Sequence, residues 1–247
     1  MSATSSSSAT GLGRALVTGA TSGIGRATAV RLAQDGWEVV VHGRNAERGA
    51  EVVREIEAEG GRARFVPADL NDLTALRTLV AEVGDVEVLV NNAGASWFGA
   101  TAELDEPTFN DLFDGNVRSA YFLVAGIAPR MAERSSGSII SLASMAGQVG
   151  LAGGAAYGAT KAALSSMTRS WAAEFSPQGV RVNAVAAGPV FSTPARAELI
   201  ENLGNTTPLG RGAQVEEIAE VISFLASDKA SYITGATLAA DGGRTAV

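Results

Sequence analysis

Short runs of aliphatic and β-branched residues alternate along the chain with longer stretches whose apolar positions recur at helical spacing. The short runs predict strands over 15–18, 38–42, 63–66, 86–90, 138–142, 181–186 and 237–240. The longer stretches predict helices near 24–35, 46–59, 72–82, 106–133, 155–175 and 215–226. Most strand runs, Val39-Val40-Val41 among them, are apolar throughout rather than alternating, as expected where both faces of a strand are covered. The βαβα order implies parallel strands with helices on both sides. Right-handed crossovers then lead to a doubly wound parallel α/β sheet. No linker or internal repeat interrupts the pattern, so a single domain is expected over 13–247. Residues 1–12 read as a disordered tail, because Met1–Thr10 is rich in Ser, Thr and Ala.

Composition narrows the chemistry. The chain has no cysteine, which excludes disulfides, thiolate catalysis and a Cys-ligated zinc. This fits a reducing compartment, and a cytoplasmic location is expected. His42 is the only histidine, so no multi-histidine metal site can form, and no metal is expected. The net charge of −7 comes without any cluster of Lys and Arg, which argues against a nucleic-acid groove. The uncharged run 135–160 is long, but its Ser, Gly and Gln content argues against a membrane span. The N-terminus lacks the basic start and apolar stretch of a secretory signal.

One segment then stands out. Thr18-Gly19-Ala20-Thr21-Ser22-Gly23-Ile24-Gly25 follows the first strand and opens the first helix. Glycines allow a tight turn and close approach of the backbone to a pyrophosphate, and the helix start offers free N–H groups. Any tight strand-to-helix turn can use glycines, so this motif alone is weak evidence.

The full set of motifs resembles the short-chain dehydrogenase/reductase family, whose fold is Rossmann-like. The T-G-x-x-x-G-I-G turn matches its cofactor motif, and Asn91-Asn92-Ala93-Gly94 resembles its N-N-A-G. Tyr157-Gly158-Ala159-Thr160-Lys161 resembles its Y-x-x-x-K, and Ser144 stands at the family spacing before Tyr157. Asn116 resembles its catalytic asparagine. Ile233-Thr234-Gly235 and Asp241-Gly242-Gly243 match its closing segment. The resemblance implies Asn116, Ser144, Tyr157 and Lys161 as catalytic residues. It implies Gly19, Thr21, Ser22, Ile24, Asp69, Leu70, Asn92, Ala93, Gly94, Gly188, Val190 and Ser192 as cofactor contacts, together with Tyr157 and Lys161. One departure is Ala187, which stands where the family has a proline before Gly188; it is expected to loosen that loop without changing its path.

The residue types suit the chemistry. Four residues turn a helix by ~400°, so Tyr157 and Lys161 project on one face. A nearby ammonium stabilises phenolate, and the tyrosine could pass a proton to or from a substrate oxygen. Ser144 would hold that oxygen. The resemblance further implies that Lys161 bonds the nicotinamide ribose and that Asn116 anchors a water. Taken singly, Tyr157 and Lys161 read as an ordinary helix pair, Ser144 as a strand end, Asn116 as a helix-satisfying amide and Asn91–Gly94 as a turn. Their co-occurrence on one sheet edge favours the functional reading.

Cofactor choice is read after the second strand. Position 43, where an NAD-binding acid is expected, is glycine, and Arg44 follows. Missing repulsion and an added guanidinium both favour the 2′-phosphate of NADP(H). His42 reads as structural or as a neighbour of that phosphate, and Asp69 as an adenine contact or a helix N-cap. The expected function is hydride transfer between NADP(H) and a carbonyl or secondary alcohol, such as a 3-oxoacyl thioester or ketone. The alternatives are a non-catalytic NADP(H) sensor and an epimerase or dehydratase. Trp97, Phe98, Gln148, Val149 and Phe191 are expected to line an apolar substrate pocket. Residues 191–207 are expected to form a mobile lid with a helix of about ten residues, capped by Thr193 and ended by Gly204, or else a permanently docked helix. The small residues on the helix over 155–175 suggest a homotetramer.

Overall fold

The computed structural model describes residues 12–247. The tail expected over 1–12 falls almost wholly outside them. Seven parallel strands form one sheet in the order β3-β2-β1-β4-β5-β6-β7. They are β1 (Arg14–Val17), β2 (Glu38–Gly43), β3 (Arg62–Pro67), β4 (Val88–Asn91), β5 (Gly137–Ser144), β6 (Val180–Ala187) and β7 (Thr237–Ala240). Each expected strand is present within two residues at either end.

Alternate residues of the inner strands feed two separate cores, which is why their sequences do not alternate in polarity. Val17, Val39, Val41, Val88, Val90 and Ile140 point into one layer, against α1 (Gly23–Gln34), α2 (Ala46–Ala58) and α8 (Val215–Ala226). Leu16, Val40, Leu89 and Ile139 point into the other, against α3 (Leu73–Val83), α5 (Ser119–Glu133) and α6 (Ala155–Phe175). Strands buried on both faces in this way are the rule in doubly wound sheets. Strand order reverses direction between β1 and β4, and that switch point opens the crevice where such sheets bind ligands. Among the described residues no helix is long and apolar enough to cross a membrane.

Two expectations need correction. The single helix expected over 106–133 is α4 (Glu106–Phe113), a π turn (Asp114–Arg118) and then α5. The π turn adds a residue to the helical repeat and re-aims the side chain at its centre, Asn116. The helix expected after Thr193 is a short 3-10 turn (Pro194–Arg196) followed by α7 (Ala197–Gly204). Thr193 makes no side-chain cap. Gly204 is the last helical residue rather than a left-handed terminator. A Cβ there would lie 2.2 Å from the Gly212 nitrogen, so it is backbone approach that excludes a side chain. Ile200 of α7 and Phe191 both pack over Gly212.

Candidate active site

The glycine-rich turn is shaped by backbone conformation and by close packing. Gly19 (φ 63°) and Gly23 (φ 53°) adopt left-handed conformations that favour glycine. At Gly25 a Cβ would come within 2.3 Å of Asn92 Nδ2 and of the Gly19 oxygen. The side chain of Ser22, ahead of α1, caps nothing, and the first turn of α1 carries no acid. By contrast α2, α3 and α4 are capped by Asn45, Asp72 and Asp105. The start of α1 therefore keeps its N–H groups and its positive dipole end free for an anion.

Thr18 ties this turn to the end of β4. Its hydroxyl accepts from the N–H groups of Asn92 and Ala93, both at 3.0 Å, and donates to the Val90 carbonyl. Asn92 Nδ2 donates back to the carbonyls of Thr18 (2.8 Å) and Gly19 (3.2 Å). Thr18 was part of the motif but received no role from sequence reasoning.

His42 makes a second tie. The Gly19 N–H donates to its Nδ1 at 3.3 Å, and Nε2 lies 3.2 Å from the Ala68 carbonyl. That pattern fits a neutral ring protonated on Nε2. Only 2% exposed, the ring has its pKa pushed down to about 4, chiefly by burial. This agrees with a structural reading of His42. Asp69 is not a helix cap: its side chain accepts from Asn71 N–H, and the cap of α3 is Asp72. Leu70 beside it is buried.

The site also bears on cofactor type. A Cβ at Gly43 would lie 2.5 Å from Thr21 Cγ2, so the Thr21 side chain occupies the space an acidic residue would need. Arg44 is exposed and forms no ion pair among the described residues. An uncapped helix start, a glycine-rich turn and a free guanidinium fit a dinucleotide with an extra phosphate.

The four expected catalytic side chains gather at the same sheet edge. Ser144 ends β5; its hydroxyl accepts from Ala146 N–H at 3.2 Å and donates to the Ala187 carbonyl at 3.4 Å. Tyr157, in the first turn of α6, packs against the Phe98 ring with centroids 5.3 Å apart. Lys161, one turn on, is 5% exposed. Its ammonium donates to the Leu142 carbonyl at 2.7 Å and sits 5.7 Å from the Tyr157 ring centre. An ammonium has three donors, and this one has a single acceptor among the described residues. Burial lowers its pKa to about 8.

Asn116, buried on the π turn, spends its amide on its neighbours. Its Oδ1 accepts from Ala95 N–H, and its Nδ2 donates to the Ala95 carbonyl and to Thr160 Oγ1. Thr160, unremarked in the sequence, donates to the Tyr157 carbonyl.

Several expectations change. Burial raises the Tyr157 phenol, while Ser144 and Arg196 pull it the other way. The anticipated lowering by Lys161 is not found, because that ammonium is turned to Leu142. Phe191 lines a cleft with Gly23, Arg26 and Val30 rather than with Tyr157. Trp97 lines an apolar groove with Phe109, Phe113, Ala156 and Ala159, on a different face of α6 from Tyr157 and Lys161. Phe98 does reach Tyr157. Ala187 leaves β6 regular, and Gly188 N–H bonds the Ala240 carbonyl. Gly188 itself must lack a side chain, since a Cβ would lie 2.6 Å from Asp241 Cα. Val190 is buried and bridges to Ala213, and Ser192 lies against Gly23 of the cofactor turn.

Comparison with known proteins agrees with this geometry. Residues 19–245 match the family model described as enoyl-(acyl carrier protein) reductase. The chain is 40% identical over 237 residues to the 3-oxoacyl-[acyl-carrier-protein] reductase FabG of Staphylococcus aureus, covering 93% of this chain and 96% of that one. It is 40% identical over 242 residues to cis-4-hydroxycyclohexanecarboxylate dehydrogenase of Sinomonas cyclohexanicum, covering 94% and 96%. A Beutenbergia cavernae structure described as an NAD(P)-dependent gluconate 5-dehydrogenase with bound NADP at low occupancy superposes with a TM-score of 0.92. It is 37% identical and covers 97% of this chain and 99% of that one.

The buried histidine makes stability depend on pH. Its folded pKa of about 4 lies below the ordinary value of 6.5, so the unfolded chain binds the extra proton first as pH falls. Stability linked to neutral His42 is complete above pH 6.5 and is lost on the way down through pH 4. Denaturant melts of wild type and His42→Gln at pH 7 and pH 4.5 should show wild type losing about 2–3 kcal/mol more than the variant. Equal losses would remove His42 from the acid response.

Proposed function

The chain belongs to the short-chain dehydrogenase/reductase family, and from that premise we propose that it interconverts a carbonyl and a secondary alcohol on a small molecule, using NADP(H). The observation that carries this reading is the convergence of Ser144, Tyr157 and Lys161 on the sheet edge that also holds the uncapped glycine-rich turn. Retention of all four catalytic residues disfavours a non-catalytic sensor. We treat residues 13–247 as one catalytic unit and assign it to the cytoplasm, on a chain free of cysteine.

Cofactor binding divides among several elements. The turn at Gly19, Thr21, Ser22 and Ile24 receives the pyrophosphate at the start of α1. Arg44 pairs with the 2′-phosphate, where Gly43 leaves no acid to repel it. Asp69 and Leu70 border the adenine, and Asn92, Ala93 and Gly94 pass beneath the ribose. Gly188, Val190 and Ser192 flank the nicotinamide. Lys161, with two donors unspent inside a buried site, bonds the ribose hydroxyls. When bound, the nicotinamide supplies or takes up the hydride.

The protein's own part is positioning and proton transfer. Ser144 holds the substrate oxygen. Tyr157, kept protonated near neutrality by burial, donates to that oxygen as the carbonyl is reduced. In oxidation the same phenol must accept a proton, a step eased by the Ser144 hydroxyl. Both N–H donors of the Asn116 amide are spent on Ala95 and Thr160, so it can offer a water in the proton path only its Oδ1. The substrates named for the relatives are oxoacyl thioesters on a carrier and hydroxy acids. We carry them to this chain as a class: carbonyl compounds bearing an anionic group away from the reacting carbon.

The assembly we propose is a homotetramer. Phe109 (41% exposed) and Tyr121 (50% exposed) crown a surface that continues into the small, exposed Ala155, Ala159 and Ser166 of α6. Closed symmetric pairing of this face covers the apolar groove.

Three outcomes are expected. Tyr157→Phe should cut kcat/KM for carbonyl reduction by about a hundredfold or more, with NADPH affinity unchanged in fluorescence titration. Wild type should prefer NADPH to NADH by at least about tenfold, and Arg44→Ala should erase most of that preference. Equal affinity for both cofactors in wild type would contradict the assignment of Arg44. Light scattering should give a tetramer mass at micromolar concentration; a monomer mass would refute the assembly.

A further inference from the structure

Arg196 occupies a position that neither the catalytic machinery nor the cofactor contacts explain. It ends the 3-10 turn that leads into α7, and its Nη1 donates to Ser96 Oγ at 2.8 Å across 100 residues of sequence. Ser96 follows Ala95, the residue that Asn116 grips through both its N–H and its carbonyl. The acceptor for Arg196 is therefore attached to the most firmly held loop of the site. The turn carrying Arg196 is thus tied to that loop, and its charge is felt at the Tyr157 phenol.

The guanidinium itself is underused. Of its five N–H donors, the bond to Ser96 engages one, and it forms no ion pair among the described residues. Arg211, further along the chain, is by contrast held by both oxygens of Glu217. Arg196 is also exposed, so nothing prevents a ligand from reaching it. Phe98 packs on the Tyr157 ring, so the site is apolar where the phenol lies. A guanidinium with donors to spare pairs well with a carboxylate, which it can clasp with two parallel bonds. The protein carries a net charge of −7, so an anion approaching the site gains most from a local positive group.

We propose that Arg196, with the Ser96 hydroxyl, binds the carboxylate of an oxo-acid or hydroxy-acid substrate while its carbonyl or carbinol carbon lies at Ser144 and Tyr157. This deepens the reading of the protein as a carbonyl reductase and rests on it. Arg196 is on this account a specificity residue: it fixes which carbonyl compound enters, and the proton transfer belongs to Tyr157.

The test compares 4-oxocyclohexanecarboxylate, its methyl ester and cyclohexanone as substrates with NADPH. Wild type should favour the carboxylate over the ester by at least about tenfold in kcat/KM. Arg196→Gln should lose that margin through a higher KM for the carboxylate, with kcat nearly unchanged and the ester and cyclohexanone unaffected. Arg196→Lys should recover part of it, and Ser96→Ala should lose part. Turnover of all three compounds without preference for the carboxylate would overturn this inference and leave the reductase reading standing. An equal loss on all three in Arg196→Gln would also overturn it, since it would make Arg196 a latch that closes the entrance on any substrate. Absence of turnover on every carbonyl offered would remove the reductase reading and this inference with it.

Discussion

The Thr18 hydroxyl takes two N–H donors from the end of β4 and returns its own proton to that strand, while Asn92 reaches back to the carbonyls of Thr18 and Gly19. This knot lies at the switch point, where two strands part and backbone groups would otherwise be left unpaired at the edge of a buried sheet. Unpaired buried polar groups are costly, so the knot is strongly specified. Its consequence is rigidity at the place where a dinucleotide must lie across both strands. Gly19 and Gly25 are glycines because Ala93 and Asn92 have been drawn up against them. The loop beyond Ala93 is pinned in turn by Asn116, which the π turn aims inward. Position thus passes from Thr18 to the cofactor turn, to Ala95 and to the mouth of the site.

Electrostatics at this edge follow from burial. Parallel strands covered on both faces leave little water near their ends, so ionisable groups there shift toward their neutral forms. His42 is neutral and acts as a strut between the cofactor turn and the chain after β3. Burial favours the protonated form of Tyr157. Lys161 is the exception in kind: a buried ammonium with one carbonyl partner is an expensive feature for a fold to carry. The ribose contact proposed for Lys161 would supply it with further acceptors.

Much of this was legible in the sequence, and for identifiable reasons. Strands such as Val39–Val41 announce themselves because both-face burial removes polar residues entirely. The helix over 155–175 and the last strand have the limits that the pattern predicts. Gly19, Asn92, Ser144 and Gly188 could be placed together because strand ends share an edge, and Tyr157 and Lys161 joined them through the family's motif and spacing. What escaped depended on geometry that periodicity does not encode. A π turn changes the helical repeat by one residue without changing the apolar pattern, so Asp114–Arg118 looked like plain helix. Gly204 resembled a helix terminator, yet its constraint is the Gly212 backbone, far off in local geometry if near in sequence. The direction of a side chain on a loop is equally hidden: Trp97 and Phe191 were expected at the substrate and face other grooves. The Ser96–Arg196 bond joins residues 100 apart and leaves no local signal.

The central claim is that this edge transfers hydride between a nicotinamide and a carbonyl carbon. Isotope tracing tests it most directly. The enzyme is incubated with a ketone and NADPH deuterated at both nicotinamide C4 positions, in ordinary water, and the product is examined by mass spectrometry and NMR. The account predicts a secondary alcohol with deuterium on the former carbonyl carbon and an exchangeable, undeuterated hydroxyl. Recovery of unchanged ketone, or of alcohol whose carbinol hydrogen comes from water, would contradict it.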